Sequence, residues 1–273
     1  MKTLYVSDLD GTLLNSDALL SDYTIEHLNR LIEKGMMFSV ATARSRSAIE
    51  KTQDLHLSLP MVQLNGVLIY DPQKQSYIDC TALTYQQACA VMQILRDFNR
   101  MSFVYKYEDE GEIAVEFERF ANEIERDFFE ARKDKDYKRF EQVKRIKITP
   151  TEQVIYFTMV DTCERLKPIF DCISRLEGVK PTLYSDNYSG LYFLEVFSAK
   201  ATKAAGVQRL KAFSQADKVV VFGDNLNDLD MFAHADFSVA VSNAVEEVRQ
   251  KANLVIDSNN EDGVAKYLTQ FIV

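Results

Sequence analysis

The sequence lacks any apolar run close to the roughly 18 residues that predict a membrane-spanning helix. Its first residues also lack a basic start followed by a long apolar segment, so we expect no signal peptide. Together these absences predict a cytoplasmic protein that has no membrane partner.

Cysteine and histidine are both scarce. The four cysteines, Cys80, Cys89, Cys163 and Cys172, form no CxxC pair, and the three histidines show no spacing typical of metal ligands. We therefore expect reduced, packed thiols, as in cytoplasmic proteins, and neither a zinc site nor a disulfide.

Positive charge is in deficit, since 32 Lys and Arg stand against 41 Asp and Glu and give a formal net charge of -9. This balance disfavours binding to nucleic acid or to an anionic membrane surface. It does not exclude a small anionic substrate, because a local cationic site can lie in an acidic protein. Nothing in the sequence separates a monomer from a homodimer.

Strand and helix patterns alternate through the first 80 residues and again through the last third of the chain. Near-continuous apolar strands, such as residues 36–43 and 218–224, are typical of a parallel sheet covered on both faces. Within 61–70, the pair Asn65-Gly66 predicts a type I′ hairpin turn. The fold class is therefore α/β, with both segments in one doubly wound, Rossmann-like parallel sheet.

The middle of the chain, residues 82–191, has longer, alternating, tyrosine-rich strands. This alternation predicts an antiparallel sheet with one face covered by helices. We therefore predict a core domain formed by 1–81 and 192–273 and an inserted α+β domain over 82–191. The charge-dense stretch 131–147 mixes both signs, which favours a solvated surface over a binding patch.

Two aspartates, Asp8 and Asp10, follow the first apolar strand. Residues two apart on a strand point to the same side, and parallel sheets bind ligands beyond the carboxyl ends of their strands. Neighbouring carboxylates need a compensating proton or cation, and Mg²⁺ takes oxygen ligands while retaining waters for a phosphate-bearing substrate. The alternative is an ordinary Asp-Gly turn at the surface.

The strand at 218–224 also ends in acidic residues. Asp224 closes the strand, and Asn227 and Asp228 follow on the opening turn of a helix. If this strand neighbours the first, Asp224 completes an acidic metal cluster. Helix capping and a favourable helix dipole are the simpler explanation for the same residues.

Two further segments offer groups that suit a phosphate. Thr42 ends an apolar strand with a hydroxyl, and the turn after it supplies backbone N–H donors. Lys203 begins the helix that returns from the middle segment and could reach an anion above the acidic cluster. Lys200 is the competing lysine, and most lysines at such places are solvated.

In this order, the four segments resemble the motifs of the haloacid dehalogenase superfamily of phosphotransferases. The motifs read DLDGT at 8–12, a strand ending at Thr42, Lys203, and GDNLND at 223–228. Residues 238–268 resemble the tail of the Cof-type branch, and the insert resembles the large cap of that branch, called type C2B. The resemblance implies Mg²⁺-dependent hydrolysis of a small phosphorylated metabolite through an aspartyl-phosphate. A sugar phosphate is favoured, followed by a nucleotide or pyridoxal phosphate.

The resemblance also implies a role for each matching residue. Asp8 is the nucleophile, and Asp10 is the acid that protonates the leaving alcohol and then the base that activates water. The expected metal ligands are Asp8, the backbone carbonyl of Asp10, and Asp224, with Asp228 behind them. The expected phosphate contacts are Thr42, the Ala43 amide, Lys203 and Asn227. Ala43 and Ala204 stand where the branch usually has glycine, which makes the Ala43 contact the least secure of these.

Two other functions are compatible with the motifs. A hexose phosphomutase similar to eukaryotic-type phosphomannomutases would need a basic cluster in the insert, which the sequence does not reveal. A catalytically silent phosphometabolite-binding protein is disfavoured by the retained charged positions. The residues that set specificity stay open, with candidates in the insert at Asp186, Asn187 and Tyr188 and at Tyr105, Tyr107 and Glu116.

Overall fold

The computed structural model describes residues 1–45, 47–108, 111–133, 138–185 and 191–271. The chain divides into two compact units, Met1–Asp79 with Ala201–Val273, and Cys80–Lys200. The strand Tyr192–Ser198 pairs within the second unit. The chain therefore returns to the first unit at Ala201 and not at the predicted boundary of 192.

The first unit is built on a parallel sheet. In chain order its strands are β1 (Thr3–Ser7), β2 (Met37–Val40), β12 (Lys218–Gly223), β13 (Phe237–Val241) and β14 (Leu254–Ile256). They lie in the order β14-β13-β12-β1-β2, and each neighbouring pair is parallel. The α/β fold class with a parallel sheet is thus confirmed, and β1 lies between β2 and β12 so that their carboxyl ends meet at one edge.

Helices of the first unit connect these strands. They are α1 (Asp22–Glu33), α2 (Ser47–Thr52), α6 (Lys203–Ser214), α7 (Leu229–Ala233), α8 (Glu246–Lys251) and α9 (Gly263–Thr269). The first begins where the Ser21 hydroxyl accepts the N–H of Thr24, and buries Leu28 and Leu31. It ends before Gly35, whose φ of +95° suits glycine. Local capping and one apolar stripe therefore fix its position.

A small sheet follows α2 in the first unit. It contains β3 (Met61–Gln63), β4 (Leu68–Asp71) and β5 (Ser76–Cys80). The predicted hairpin over 61–70 is confirmed, because β3 and β4 pair antiparallel, but the two-residue turn is wrong. Gln63 pairs with Leu68, so residues 64–67 form the connection.

The loop 64–67 departs from a simple turn because it hydrogen-bonds to a distant segment. The Leu64 N–H donates to the Arg44 carbonyl at 3.0 Å, and the Asn65 N–H donates to the Thr42 carbonyl at 3.0 Å. Leu64, Asn65 and Gly66 all have positive φ. Tertiary contacts, and not the Asn-Gly pair alone, select this conformation.

The second unit has its own sheet. Its strands are β6 (Phe103–Tyr107), β7 (Ile113–Phe117), β8 (Arg139–Gln142), β9 (Gln153–Asp161), β10 (Val179–Ser185) and β11 (Tyr192–Ser198). They lie in the order β10-β11-β9-β6-β7-β8, and the pairs are antiparallel except β7 with β8, which is parallel. The prediction of a purely antiparallel sheet is therefore wrong at this edge, where β8 lies inside the charge-dense stretch 131–147.

Helices lie on both faces of this second sheet. The helices are α3 (Tyr85–Asp97), α4 (Glu123–Glu130) and α5 (Cys163–Ile173). Val91 of α3 and Leu166 of α5 share a buried cluster with Val104 of β6. The neighbouring Phe103 instead contacts Phe128 of α4, with ring centroids 5.2 Å apart. Since adjacent strand residues point to opposite faces, the expected one-sided covering is wrong.

Among helices in the described ranges, none combines the length and the apolar composition of a segment that crosses a membrane.

Candidate active site

Asp8 lies directly after β1, at the edge where the parallel strands end. Its N–H donates to the carbonyl of Phe222 on β12 at 3.0 Å, so the backbone is tied to the neighbouring strand. The residue is only 5% exposed. A carboxylate held this firmly in a buried position requires compensation, because burial disfavours its charged form.

Lys203 supplies part of that compensation. It opens α6, where the Thr202 hydroxyl accepts the N–H of Ala205 at 3.1 Å and caps the helix. Its Nζ lies 2.8 Å from Asp8 Oδ1 and 2.8 Å from Asp228 Oδ1. All three side chains are buried, so the ion pairs are shielded from water and salt. Of the two candidate lysines, Lys203 is therefore the one beside Asp8.

Asp228 is held on both of its carboxylate oxygens. Oδ1 accepts from Lys203, and Oδ2 accepts the N–H groups of Asp224 at 3.0 Å and Asn225 at 3.1 Å. The turn after β12 brings these groups together. At Gly223 a Cβ would lie 2.6 Å from the Asp228 carboxyl carbon, so the close approach requires glycine. Asp228 thus fixes the direction of the turn that carries Asp224.

Asp224 is partly buried and faces the segment after β1. Thr12 Oγ1 donates to Asp224 Oδ1 at 2.9 Å. Gly11 lies between them with a φ of +75°, and a Cβ there would be 2.4 Å from Asp224 Oδ2. The turn formed by Asp10, Gly11 and Thr12 therefore packs against Asp224 at the end of β12, so it is not an ordinary surface turn.

Oxygen atoms of Asp8, Asp224 and Asp228 lie within 4.8 Å of one another. In this group of described residues, three carboxylates face one lysine, which leaves a surplus of negative charge. Carboxylate oxygens are the ligands that a hard divalent cation prefers. Asp8 and Asp224 fit as direct ligands best, because both oxygens of Asp228 already accept hydrogen bonds from protein groups.

Burial shifts the pKa values of the same acids. Burial raises the pKa of Asp8 to about 7, although the charge of Lys203 opposes the shift. Burial also raises the pKa of Asp224. For Lys203, burial lowers the pKa, but the charges of Asp8 and Asp228 outweigh it and the net shift is upward. The lysine therefore keeps its proton, while the acids would gain from a further cation.

Asp10 has different surroundings from Asp8. Its side chain is 49% exposed and receives two hydrogen bonds from Arg44. Arg44 Nε donates to Oδ2 at 2.6 Å, and a terminal nitrogen of the guanidinium donates to Oδ1 at 2.6 Å. This hydrogen bonding raises the pKa of Arg44. The two aspartates that follow β1 thus pair with two separate cations.

The structure places the remaining predicted residues near these strand ends. Thr42 is fully buried just after β2, and its Oγ1 accepts the Arg44 N–H at 3.1 Å. Ala43 and Asn227 are exposed, and Ala204 is buried in the first turn of α6. Their roles toward a phosphate stay predictions.

Candidate specificity residues belong to the second unit. Asp186, Asn187 and Tyr188 lie outside the described residues. The Tyr105 ring contacts Tyr156 edge-on at 5.9 Å. Glu116 accepts a 2.8 Å hydrogen bond from Lys106.

Sequence reasoning missed Arg44 and Thr12. Thr12 is the last residue of the motif at 8–12, and Arg44 stands two residues after Thr42, where the second motif ends. Arg44 offered no local signal, because its partner Asp10 lies on another strand end, 34 positions away in the sequence. Thr12 offered no signal beyond its place in a turn, because its partner Asp224 comes from the far end of the chain.

A family model described as haloacid dehalogenase-like hydrolase matches residues 5–268. Curated relatives extend over almost the whole chain. The 5-amino-6-(5-phospho-D-ribitylamino)uracil phosphatase YwtE of Bacillus subtilis is 25% identical over 97% of this chain and 96% of its own length. The pyridoxal phosphate phosphatase YbhA of Escherichia coli is 25% identical over 97% of both chains.

Solved structures show the same fold. The crystal structure of a haloacid dehalogenase-like hydrolase from Bacteroides thetaiotaomicron covers 100% of both chains, with a TM-score of 0.73 and 24% identity. The similarity therefore includes both units of the present chain.

Proposed function

Because the chain belongs to the haloacid dehalogenase-like hydrolases, we propose that it is a Mg²⁺-dependent phosphatase that forms an aspartyl-phosphate on Asp8. The family and the hydrolase class were both predicted, and the match over residues 5–268 confirms them. The identity of the nucleophile, of the metal and of the substrate is the proposal.

One observation carries the proposal: a buried Asp8 lies 2.8 Å from a buried lysine and within 4.8 Å of two further carboxylates. A carboxylate can attack phosphorus, because the mixed anhydride that forms can be hydrolysed by water. Phosphate dianions and carboxylates repel each other, so catalysis depends on cations held in place before the substrate arrives.

The donor set fits a magnesium ion. Asp8 and Asp224 would hold it, together with the backbone carbonyl of Asp10, and Asp228 would hold Lys203 and the turn of Asp224 in place. When bound, the ion neutralises negative charge on the phosphate and on the attacking carboxylate. Lys203 provides a fixed positive charge at the same edge of the sheet.

The residues of the chain then divide the reaction between them. Asp8 attacks phosphorus, and the bond to the leaving oxygen breaks as Asp10 gives that oxygen a proton. Asp10 next takes a proton from water, which attacks the aspartyl-phosphate and releases inorganic phosphate. Thr42, the Ala43 amide, Asn227 and Lys203 would contact the phosphate oxygens.

The substrate is proposed to be a small phosphorylated metabolite, with a sugar phosphate favoured. The named relatives act on a ribityl phosphate and on pyridoxal phosphate, and both are phosphate monoesters of small molecules. The second unit, Cys80–Lys200, is proposed as the cap that selects among such esters.

The test uses a panel of phosphorylated metabolites and p-nitrophenyl phosphate, with Mg²⁺ and after chelation with EDTA. We expect Asp8→Asn to lower kcat by at least about 10³-fold, because loss of a nucleophile removes the covalent route. Acid quenching of the native enzyme during turnover should leave a phosphorylated peptide that contains Asp8.

The matched control is Asp236→Asn, which alters an exposed ion pair with Lys211 in the same unit. We expect it to keep native activity. Full activity of Asp8→Asn would overturn the proposed mechanism. Undiminished activity in EDTA would overturn the proposed dependence on Mg²⁺. Adding a hexose 1,6-bisphosphate to a hexose phosphate tests the mutase alternative, for which isomerisation is the readout.

A further inference from the structure

The turn 242–245 follows β13 and contacts both of the segments that carry the acidic residues of the site. We propose that Asn243 in this turn is a positioning residue, which holds the segment after β1 at a fixed spacing from Asp224 and thereby sets the affinity of the site for Mg²⁺. The inference rests on the proposed function, because it concerns the groups that are proposed there to hold the ion.

One contact of this turn reaches the segment after β1. Asn243 Nδ2 donates to the carbonyl oxygen of Gly11 at 2.7 Å. That carbonyl belongs to the same planar peptide group as the N–H of Thr12, so a hydrogen bond to it restrains the rotation of this peptide group. Thr12 Oγ1 donates in turn to Asp224 Oδ1 at 2.9 Å. Asn243 therefore supports the backbone orientation from which Thr12 reaches Asp224. The carbonyl of Asp10, a proposed metal ligand, lies one peptide group earlier.

A second contact of the turn reaches the end of β12. The N–H of Val245 donates to the carbonyl of Asp224 at 2.9 Å. The turn is closed by a hydrogen bond from the N–H of Ala244 to the carbonyl of Val241 at 3.0 Å. Since Asn243 and Val245 are two residues apart in this closed turn, a short and restrained piece of backbone connects the segment after β1 to Asp224.

The order of the strands shows why this connection matters. β13 pairs with β12, and β12 separates it from β1, so the hydrogen bond from Asn243 to Gly11 extends across the end of β12. Among the described residues, a single side-chain hydrogen bond joins the two acidic segments directly, from Thr12 to Asp224. The turn 242–245 adds a second path between the same two segments.

Both ends of the Asn243 amide are engaged. Its Oδ1 accepts the N–H of Asn259 at 2.9 Å, while its Nδ2 donates to Gly11. Asn259 is itself only 8% exposed, and it donates to the carbonyl of Leu14 at 2.8 Å. An amide has an acceptor on one side and a donor on the other, so a flipped amide would oppose N–H to N–H and oxygen to oxygen. The orientation of the Asn243 side chain is thereby fixed, although the residue lies at the surface.

The effect on a bound ion depends on how strictly that ion requires its ligand positions. Mg²⁺ requires near-ideal octahedral geometry at about 2.0–2.1 Å, whereas Ca²⁺ accepts variable geometry at about 2.3–2.6 Å. If the two acidic segments lose their fixed spacing, the site should therefore lose affinity for Mg²⁺ more than for Ca²⁺. Residues that orient metal ligands without binding the ion typically change metal affinity by about 10- to 100-fold when they are substituted.

The experiment titrates metal-free protein with Mg²⁺ and with Ca²⁺ by isothermal titration calorimetry, without substrate. We expect Asn243→Ala to raise the Kd for Mg²⁺ by about 10-fold, because the segment after β1 loses one of its two connections to Asp224. The Kd for Ca²⁺ should rise by less than about 3-fold. Asn243→Gln keeps the amide on a longer stem, so its Kd for Mg²⁺ should lie between the values of native protein and Asn243→Ala.

Asn260→Ala is the matched control. Asn260 is also an exposed asparagine near the C-terminus, and its Oδ1 accepts the N–H of Ser16 at 2.9 Å. Its substitution therefore frees the same segment after β1, but at a residue beyond Gly11 and Thr12. We expect the Kd values for both cations to equal those of native protein.

The outcomes separate the roles. Equal rises of both Kd values in Asn243→Ala, with a lower urea midpoint of unfolding, would mean a general structural role and overturn the inference. An unchanged Kd for Mg²⁺, or an equal rise in Asn260→Ala, would overturn it as well, while Mg²⁺ binding and ester hydrolysis by native protein would still support the proposed function. If native protein bound no Mg²⁺ and hydrolysed no ester, the proposed function and the inference would both be contradicted.

Discussion

Asp8 and Asp10 stand two residues apart, and the folded chain gives each its own cation. Lys203 reaches Asp8 from α6, and Arg44 reaches Asp10 from the segment after β2. The repulsion that the sequence implied is therefore relieved partly by side chains. The remaining surplus of negative charge lies at the buried cluster with Asp224, which is where a metal ion is proposed.

At the same scale, Glu195 of the second unit predicts how the stability of the folded protein changes with pH. It accepts a 2.6 Å hydrogen bond from the Tyr156 hydroxyl, and burial raises its pKa above the ordinary value for glutamate. A raised pKa contributes stability that is complete below the ordinary value and is lost as the pH rises through the folded-state value.

We therefore expect native protein to lose stability relative to Glu195→Gln as the pH rises from about 4 to about 8, with convergence at the acid end. Glutamine keeps the acceptor for Tyr156 and removes the titration. The urea midpoint of unfolding at each pH is the measurement.

Glu246→Gln gives the control of opposite sign. Hydrogen bonds from Arg249 and Gln250 lower the pKa of this exposed carboxyl, so its contribution is present above the ordinary value and lost as the pH falls. The native midpoint should exceed that of Glu246→Gln near neutrality. A constant difference between native protein and Glu195→Gln across the range would contradict the assignment at Glu195.

At the scale of elements, the loop 64–67 contacts two segments that each carry a cation, the segment after β2 with Arg44 and the start of α6 with Lys203. Leu64 holds the Arg44 carbonyl, while Gly66 approaches the start of α6 so closely that a Cβ would lie 2.1 Å from the Thr202 carbonyl oxygen. Thr202 caps the helix that begins with Lys203. One loop therefore sets the positions of Arg44 and of Lys203 together.

Gly66→Ala should disturb this joint placement. Positive φ costs alanine about 1–2 kcal/mol, and the clash with Thr202 should add about 1–3 kcal/mol to the loss of unfolding free energy. Gly35→Ala is the matched control, because its φ of +95° is close to the +98° of Gly66 and a Cβ there meets nothing within 4 Å.

Urea unfolding of both variants separates the two costs, and phosphatase assays should show lower kcat for Gly66→Ala alone. Equal destabilisation by the two substitutions would show that the loop yields to the added methyl group. In that case the loop does not fix the neighbouring segments.

The elements also show what sequence reasoning could reach. The sequence predicts β1 and β12 because continuous apolar runs end there in acidic residues, and the alternation of strands with helices predicts that the sheet is parallel. The order of the strands in the sheet was not predicted. β8 was missed because its sequence RFEQ lies among charges, and its strand form depends on pairing with β7 and on Phe140 contacting Phe103. The hairpin loop was mistaken because its shape depends on Thr42 and Arg44.

For the site too, local sequence predicts some features, while others depend on tertiary contacts. Asp8, Lys203, Asp224 and Asp228 could be named because each carries a charge at the end of an element. Their meeting could be predicted only on the condition that β12 neighbours β1, since the contacts join residues separated by as many as 220 positions, from Asp8 to Asp228. Arg44 was not predicted for the same reason, because nothing in the sequence of residues 39–44 indicates that its partner is Asp10.

At the scale of the whole molecule, the second unit is a continuous segment with its own buried cluster. Residues 80–200 carry their own sheet and the helices that cover it. We expect this segment, produced alone, to unfold cooperatively in urea with an m value of about 1–3 kcal/mol/M, as small domains do. Circular dichroism should report both its strands and its helices.

A gradual, non-cooperative transition of that fragment would contradict the expectation. Residues 1–79 produced alone provide the contrast, because β1 then lacks its partner β12. We expect that fragment to show no cooperative transition.

The position of β12 has a consequence for synthesis on the ribosome. β1 is made first, yet one of its two neighbours in the sheet is complete only at Gly223, after the whole second unit has emerged. Since continuous domains fold as they are made, the second unit can form while β1 still has an open, apolar edge. The nascent chain must keep that edge from pairing elsewhere until β12 arrives, so factors that bind nascent chains should matter most during this interval.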